Sequence, residues 1–446
     1  MQKRNVQIEK EKIYRYINIF KNSKNLKNSY WIIGAQIFQM ILSFIVGAIS
    51  ARYLGPENYG TLNYTASFVA FFSTIVTLGM DSVVISKIIK YPVDEGKYIG
   101  SAIVYRIVCA LFSSISIAGI IIILNPGDKI KLILALLQSM QLFFLAIEIV
   151  DAWFQKNLLS RYTSVARIVA SIIISSYKVI ILITRRGLVF FAITNVLTDL
   201  ILAVVLLFLY SKLSDHKLSY SSSYGRDILK ESYHFVLVDI LSSLYIYMDR
   251  IMLGKMMSDK IVGIYTAATT ISTLWIFVPN AIITSFRPTI MALKSEGKEK
   301  EYKRRLEQLF SVIELICFFF SICVCWGAKI IVYVLYGMEY MEAIVPLRII
   351  IWAKFFAVIS VTRGIWIICE NKNRYVKNYV VIGSVTNLIL NFCLIPLWGI
   401  NGAAIATFFT ELSVGIIAPC FFRETRESTL IIMRSLCGKW YWEKDS

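Results

Sequence analysis

The chain is dominated by apolar runs of about twenty residues that follow one another with only short polar breaks. An α-helix needs about 20 residues to cross the hydrocarbon core of a bilayer. The mean hydropathy is +0.64, and 17% of the 446 residues are charged, against about 25% in soluble domains. The sequence therefore predicts an all-α integral membrane protein.

About twelve transmembrane helices are predicted, in two sets of six. The first set lies at about 30–51, 61–81, 99–124, 130–153, 164–183 and 189–211. The second set lies at about 233–253, 262–286, 308–327, 344–368, 378–397 and 399–421. The predicted domains are a basic cytoplasmic arm at 1–29, an N-lobe at 30–211, a cytoplasmic linker at 212–232, a C-lobe at 233–421 and a cytoplasmic tail at 422–446.

Lysine and arginine are distributed unevenly between the loops on the two sides of these spans. One side holds 32 of them, in segments 1–29, 82–98, 154–163, 212–232, 287–307, 369–377 and 422–446. The other side holds 7, in the loops at 52–60, 125–129, 184–188, 254–261 and 328–343. Cytoplasmic loops carry the excess of positive charge. We therefore expect a multi-pass bacterial inner-membrane protein with both termini cytoplasmic, whose net charge of +18 faces lipid rather than nucleic acid.

The sequence offers no pattern typical of a catalytic, metal or cofactor site. Seven of the eight cysteines fall in or beside apolar runs, and Cys323-Val-Cys325 lacks metal-ligand spacing. No nucleotide-binding loop is present, so ATP is not expected to drive the protein directly. A membrane glycan polymerase or ligase is the alternative of a different class, but the longest outer loop, 328–343, is short for catalytic groups. We expect a protein that is not an enzyme and has no cofactor.

The two predicted halves contain an internal repeat. Residues 52–64, which include Gly55, Gly60 and Tyr64, resemble residues 250–265, which include Gly254, Gly263 and Tyr265. Further on, ITNVLTDL at 193–200 resembles IATFFTEL at 405–412. Six spans per half give both halves the same orientation, and parallel repeats are related by an axis along the membrane normal. The prediction is two six-helix lobes related by such a pseudo-two-fold axis, with substrate between them.

Several motifs resemble those of the polysaccharide-repeat, O-antigen-type flippases of the multidrug/oligosaccharidyl-lipid/polysaccharide exporter superfamily. They are RYLGPENYG at 52–60, LGMD at 78–81, DRIMLG at 249–254, VGIY at 262–265 and YG at 336–337. The resemblance implies transport of undecaprenyl-pyrophosphate-linked oligosaccharide from the cytoplasmic to the periplasmic leaflet, for O-antigen or capsule. It implies the lipid-linked oligosaccharide and membrane lipids as partners, with a glycan polymerase as a further partner. A multidrug or lipid II exporter of the same superfamily is the alternative.

Charged residues within the spans are the candidate site residues, because each costs about 2.5–3.5 kcal/mol at a helix centre. Guanidinium groups bind phosphate in a bidentate manner. We predict a basic patch for pyrophosphate or acidic sugars, and in the fifth span Ser171 and Ser175 share a face with two of its members. The candidate substrate-binding residues are Arg106, Arg167, Lys178 and Arg250, with Arg348 and Arg363. Structural ion pairs, for instance Asp151 with Arg363, are the alternative explanation.

Buried carboxylates are candidates for ion coupling, since their affinity for H⁺ or Na⁺ changes with hydration in the two states of a transporter. Asp239 is the first candidate, and Glu148 and Asp151 are the second. Asp199 and Glu411 are related by the repeat and are interpreted as residues that hold symmetric helices in place. Five of the charged residues lie near span ends, where either snorkelling to the interface or a role in the lumen would explain them. They are Asp81, Arg167, Asp249, Arg348 and Arg363.

Overall fold

A computed structural model of the chain describes residues 24–436. Within that range the chain is helical apart from short turns and contains no strand. The all-α prediction is confirmed. The first 23 residues of the predicted basic arm and the last ten residues of the predicted tail lie outside the described residues.

Sixteen α-helices follow one another in the described range. In the N-terminal half they are α1 Lys24–Thr77, α2 Met80–Lys90, α3 Glu95–Leu124, α4 Lys129–Ser139, α5 Gln141–Ile147, α6 Asp151–Lys156, α7 Ser160–Ile183 and α8 Leu188–Leu213. In the C-terminal half they are α9 Ser222–Met256, α10 Asp259–Leu274, α11 Phe277–Ser295, α12 Glu299–Tyr336, α13 Ile344–Cys369, α14 Arg374–Leu412, α15 Ala418–Phe421 and α16 Arg426–Leu436. A π-helix, Ser413–Ile417, separates α14 from α15.

Two of the long helices are interrupted at a glycine. Gly55 in α1 has φ 71° and Gly399 in α14 has φ 55°, conformations that favour glycine. Beyond the second break, a Cβ on Gly402 would lie 2.1 Å from the carbonyl oxygen of Leu394, so the chain folds back on itself there. With these breaks, the nine long apolar helical segments of residues 24–436, together with α9, are consistent with the twelve predicted crossings.

The connections between crossings lie at two ends of the bundle. The basic face carries the turns at 91–94, 157–159, 214–221, 296–298, 370–373 and 422–425. The opposite face carries the turns at 125–128, 184–187, 257–258 and 337–343, with the breaks at Gly55 and Gly399. The basic face is formed by the segments in which the sequence concentrates lysine and arginine.

The segment predicted as a linker is partly helical and is bound to the N-terminal half. The backbone N–H of Ser219 donates to the Gly96 carbonyl at 3.2 Å, on the first turns of α3. The Lys87 ammonium lies 2.7 Å from Asp227 and 2.5 Å from Glu231, both on α9. The α9 helix therefore begins against the N-terminal half at the basic face and continues into the C-terminal half.

The two halves meet closely near the opposite face. A Cβ on Gly60 would lie 1.6 Å from the Asp259 carbonyl oxygen, and a Cβ on Gly263 would lie 2.0 Å from the Pro56 carbonyl oxygen. The Thr61 hydroxyl donates to the Asp259 carboxylate at 2.8 Å, and this contact also joins the two halves. The repeat-related glycines Gly60 and Gly263 thus face each other, which is consistent with the predicted pseudo-two-fold relation.

Toward the basic face the halves leave a gap between α1 and α11. The gap is a cavity of about 410 Å³ with a mainly apolar lining. Its lining includes Ile33, Ile37 and Met40 on α1 and Phe277 and Ala281 on α11. The bundle is therefore closed at the opposite face and has an apolar gap between its halves nearer the basic face.

Candidate functional site

The interior of the N-terminal half contains two adjoining polar cavities, of about 230 and 160 Å³. Lys178 of α7 and Asn195 of α8 line both of them. Polar residues at helical spacing point into the cavities from five helices, since residues three and four apart share a face. They include Asn63 on α1, Gln138 on α4, Gln141 on α5, Ser171 and Ser175 on α7, and Thr198 and Asp199 on α8.

We refer to the two adjoining cavities together as the N-lobe cavity. Lys178 is the basic residue that lines it. Within residues 24–436, no carboxylate lies within ion-pair distance of its ammonium group, although Asp199 lines the same cavity. An ammonium group in the interior of a membrane bundle is costly unless a polar or anionic group satisfies it. The cavity therefore has the chemistry to receive an anion. The structure gives Asp199 this cavity-lining position in addition to its predicted place in the repeat.

Arg106 and Arg167 are neutralised by carboxylates of their own half. The Arg106 side chain is 1% exposed and its guanidinium lies 3.1 Å from Asp81. The Arg167 guanidinium lies 3.2 Å from Glu148 and 3.6 Å from Asp151. Ion pairs thus compensate two members of the predicted basic patch of Arg106, Arg167, Lys178 and Arg250, and the substrate-binding role of these residues stays a prediction.

Arg250 lies at the junction of the two halves, on α9. It donates to the Thr269 hydroxyl at 3.1 Å, and one turn further along α9 a Cβ on Gly254 would lie 2.3 Å from the ring of Tyr64 on α1. The structure thus places Arg250 near the contact between α9 and α1, outside the lining of the two polar cavities.

The other two predicted arginines lie elsewhere in the C-terminal half. Arg348 donates to the Cys325 carbonyl at 3.0 Å on an exposed surface. Arg363 is buried and donates to the carbonyl oxygens of Val414 and Gly415 in the π-helix. A π-helix leaves such carbonyl groups available for other donors. Neither Arg348 nor Arg363 lines the N-lobe cavity, and the suggested pair of Asp151 with Arg363 is wrong because both have other partners.

The C-terminal half contains a second polar centre, at Asp249 of α9. Its side chain is among the buried polar groups, with 3% exposure. One carboxylate oxygen accepts from the hydroxyls of Tyr265 at 2.6 Å and Thr407 at 2.5 Å. The other accepts from the amides of Asn387 at 3.0 Å and Asn391 at 2.6 Å. Snorkelling is therefore excluded for Asp249, which is held by four neutral donors.

This centre has the oxygen atoms that a small cation needs. The amide oxygens of Asn387 and Asn391 are buried and have no hydrogen-bond partner among the described residues. Half a turn of each amide exchanges nitrogen for oxygen, so both amide oxygens would then face the carboxylate of Asp249. Oxygen ligands with a single negative charge suit a hard monovalent cation. No cluster of three or more His, Cys, Asp or Glu side chains suited to a metal occurs in the described range.

The sequence missed the Asp249 centre because its members come from three separate helices. The signal was nevertheless present, since Asn387 and Asn391 share a face of the eleventh predicted span. Of the predicted coupling residues, Glu148 and Asp151 contact Arg167. Asp239 lies one turn before Ser243, whose hydroxyl is 2.5 Å from that of Thr74 across the interface of the two halves. The coupling roles of Asp239, Glu148 and Asp151 stay predictions.

Comparison with known sequences identifies relatives over almost the whole chain. The sequence profile described as "Polysaccharide biosynthesis protein" matches residues 25–294, and the profile "MatE" matches residues 235–393. The Haloferax volcanii "Probable flippase AglR" is 30% identical over 178 residues, which are 39% of this chain and 37% of that protein. The Staphylococcus aureus "Capsular polysaccharide biosynthesis protein CapF" is 23% identical over 405 residues, which are 89% of this chain and 98% of that protein.

A solved structure shares the fold. The structure titled "Lipid II flippase MurJ, inward closed conformation" superimposes with a TM-score of 0.73 and covers 92% of each chain. The sequence identity is 15%, so this likeness concerns the fold alone. The resemblance inferred from the motifs is confirmed by these matches.

Proposed function

Because the chain belongs to the polysaccharide biosynthesis protein family and crosses the membrane many times, we propose that it is a flippase for lipid-linked oligosaccharide. Its substrate is an undecaprenyl-pyrophosphate-linked repeat unit, which moves from the cytoplasmic to the periplasmic leaflet by alternating access between the two halves. The names of the relatives, a flippase and a capsular polysaccharide biosynthesis protein, support this substrate class.

The observation that carries the proposal is Lys178, a cation without a carboxylate partner among residues 24–436, in a polar cavity inside an apolar bundle. A pyrophosphate or an acidic sugar supplies the missing negative charge. The neighbouring hydroxyl and amide groups match the many hydrogen-bonding groups of an oligosaccharide. Low polarity around the cavity strengthens each of these contacts.

The state of the interface supports entry from the basic face. The apolar gap between α1 and α11 lets a polyprenyl tail stay in the membrane while the headgroup enters the interior. Release on the other side requires the contacts of Gly60 with Asp259 and of Thr61 with Asp259 to separate. The uneven distribution of lysine and arginine supports a basic face in the cytoplasm of a bacterial inner membrane, and a glycan polymerase on the other side would consume the product.

The coupling ion, in this proposal, is Na⁺ bound at Asp249. The carboxylate already accepts four hydrogen bonds, as expected of an ionised group. One negative charge among carboxylate, hydroxyl and amide oxygens suits Na⁺, and an H⁺-driven protein is the outcome that would replace this part of the proposal.

The test of the substrate site is a leaflet-accessibility assay in sealed proteoliposomes that contain undecaprenyl-pyrophosphate-linked oligosaccharide. We expect Lys178→Ala to slow transfer by about tenfold or more, as loss of a charge-assisted contact of about 1.5–3 kcal/mol implies. Lys178→Arg keeps the charge and serves as the matched control, with most of the activity retained. Equal transfer by Lys178→Ala and the wild type would exclude this cavity as the headgroup site.

The same proteoliposomes test the substrate class. We expect no competition from organic cations that multidrug exporters carry and weaker competition from lipid II than from the oligosaccharide lipid. Transfer of lipid II at the higher rate would reassign the protein to lipid II export, and cation efflux would reassign it to multidrug export.

A further inference from the structure

A groove lies on the outside of the N-terminal half, between α7 and α8. It has a volume of about 520 Å³ and is lined by apolar side chains along most of its length. Val165 and Val169 line it from α7, and Ile201 and Val205 line it from α8. We refer to it as the α7/α8 groove.

The α7/α8 groove faces away from the N-lobe cavity. Val165 and Val169 lie two residues from Arg167, so they are on the opposite side of α7. Their side chains are 41% and 46% exposed, as expected for a surface in contact with lipid. The groove is therefore a surface site of the bundle and not part of the substrate path.

A cationic group lies at the end of the groove nearest the basic face. Arg161 is the second residue of α7 and lines the groove mouth. Its guanidinium lies over the ring of Trp31 of α1, 5.2 Å from the ring centroid. Among residues 24–436, no carboxylate lies within ion-pair distance of Arg161. The Arg161 charge is thus held in place by an aromatic ring and is available to an anion.

The aromatic residues around Arg161 place it at the level of lipid headgroups. Trp31 and Tyr162 are 39% and 43% exposed, and exposed Trp and Tyr residues concentrate at membrane–water interfaces. From Arg161 to Val169 the helix rises by about 12 Å. The groove therefore runs from headgroup depth into the hydrocarbon region.

We propose that the α7/α8 groove is a binding site for an anionic phospholipid of the leaflet at the basic face. The phosphate contacts Arg161, and one acyl chain lies along Val165, Val169, Ile201 and Val205. Charge complementarity selects this lipid class, because the arginine has no carboxylate partner in the described range and a zwitterionic headgroup brings its own positive charge into a basic surface.

The experiment measures lipid binding to the full-length purified protein by native mass spectrometry. The probes are dioleoylphosphatidylglycerol and dioleoylphosphatidylcholine at equal concentration. The wild type is expected to retain the phosphatidylglycerol preferentially. Arg161→Gln is expected to weaken phosphatidylglycerol binding by about fivefold, the effect of one basic residue near an anionic lipid surface, and to leave phosphatidylcholine binding unchanged.

Arg186→Gln is the matched control. Arg186 is an exposed arginine at the opposite face, 5.5 Å from the ring centroid of Phe190. Its substitution removes the same charge and the same kind of ring contact but leaves the groove intact. If Arg186→Gln lowers phosphatidylglycerol binding as much as Arg161→Gln does, net charge explains the preference and the site is excluded.

Val169→Phe tests the acyl-chain part of the site. The larger side chain fills the groove from its exposed side, so binding of both lipids is expected to fall while the preference between them remains. Unchanged binding by Arg161→Gln and Val169→Phe would overturn the proposal. Displacement of phosphatidylglycerol from the wild type by undecaprenyl pyrophosphate, with the same dependence on Arg161, would assign the groove to the substrate lipid instead.

Discussion

The N-terminal and C-terminal halves hold their charged groups in different ways, although an internal repeat relates them. In the N-terminal half, Arg106 and Arg167 pair with carboxylates, and Lys178 lies in an adjoining cavity. In the C-terminal half, Asp249 is buried among four neutral donors from two other helices. One half offers groups that can exchange partners, and the other offers a fixed site for one small charge.

The difference indicates a division of labour between related lobes. A large headgroup of variable shape needs room and several exchangeable contacts, which the N-lobe cavity supplies. A small cation needs oxygen atoms at fixed positions and little water, which the Asp249 centre supplies.

The largest effect is expected for Asp249→Asn. The substitution removes a buried charge that accepts four hydrogen bonds, so the free energy of unfolding should fall by about 3 kcal/mol. NaCl should stabilise the wild type more than choline chloride does. The difference should reach about 2.7 kcal/mol when the Na⁺ concentration is a hundred times the dissociation constant of Na⁺. That stabilisation should be absent from Asp249→Asn. Thermal unfolding in detergent at constant ionic strength measures both quantities.

Asp239→Asn is the control on the same helix. Asp239 is partly exposed and lies ten residues before Asp249, so its substitution should cost less than about 1 kcal/mol and leave the effect of NaCl intact. If Asp239→Asn abolished the NaCl effect and Asp249→Asn did not, the coupling site would belong to Asp239, as the sequence alone suggested.

An intermediate effect is expected for Gly60→Ala at the junction of the halves. The added Cβ would lie 1.6 Å from the Asp259 carbonyl oxygen, so closure at the opposite face should cost about 1–3 kcal/mol. We expect a larger fraction of molecules open at that face, measured as faster labelling of a cysteine introduced at Thr65. Gly34→Ala, where no atom lies within 4 Å of the added Cβ, should label at the wild-type rate.

The smallest effect concerns ion pairs at the basic face. A hydrogen bond from Lys87 and the Lys87 charge hold the pKa of Asp227 below its ordinary value, although partial burial acts in the opposite direction. A lowered pKa stabilises the folded state above the unfolded-state pKa of about 3.9 and loses this effect as the pH falls through the folded-state pKa. Asp227→Asn should therefore cost about 0.5–1 kcal/mol at pH 7, and the difference from the wild type should vanish in acid.

The ion pairs of Glu424, at the basic face of the C-terminal half, should contribute less. Hydrogen bonds from Lys372 and Arg374 hold the pKa of Glu424 at about 2, but these side chains lie at an exposed surface where water and salt screen the charges. The melting temperature of Glu424→Gln should therefore differ less from that of the wild type than the melting temperature of Asp227→Asn does. A larger loss for Glu424→Gln, measured by thermal unfolding at pH 7, would contradict the expectation that the pair with the more buried Lys87 contributes more.

Hydropathy predicted the positions of most of the helices. The spacing of the internal repeat predicted the place of one contact between the two halves. Apolar runs locate the transmembrane helices because the side chains that face lipid must be apolar along the whole span. The repeat marked Gly60 and Gly263, which face each other in the structure. The start of α9 at Ser222 was missed because its first turns are polar and are held by Lys87 instead of by lipid.

The candidate site was predicted only in part, because partner choice depends on packing between distant segments. Helical spacing placed Lys178 with Ser171 and Ser175, and the structure puts all three around one cavity. Spacing cannot show that Arg106 lies beside Asp81 or that Asp249 lies beside Asn391, 142 residues away. Those contacts decide which charges are compensated.

The most direct test of the division of labour is leaflet transfer of the oligosaccharide lipid by Lys178→Ala and Asp249→Asn, each with and without an imposed Na⁺ gradient. We predict that Lys178→Ala transfers poorly under both conditions. We predict that Asp249→Asn transfers at a rate that does not respond to the gradient. Gradient-driven transfer by Asp249→Asn at the wild-type rate would contradict the account.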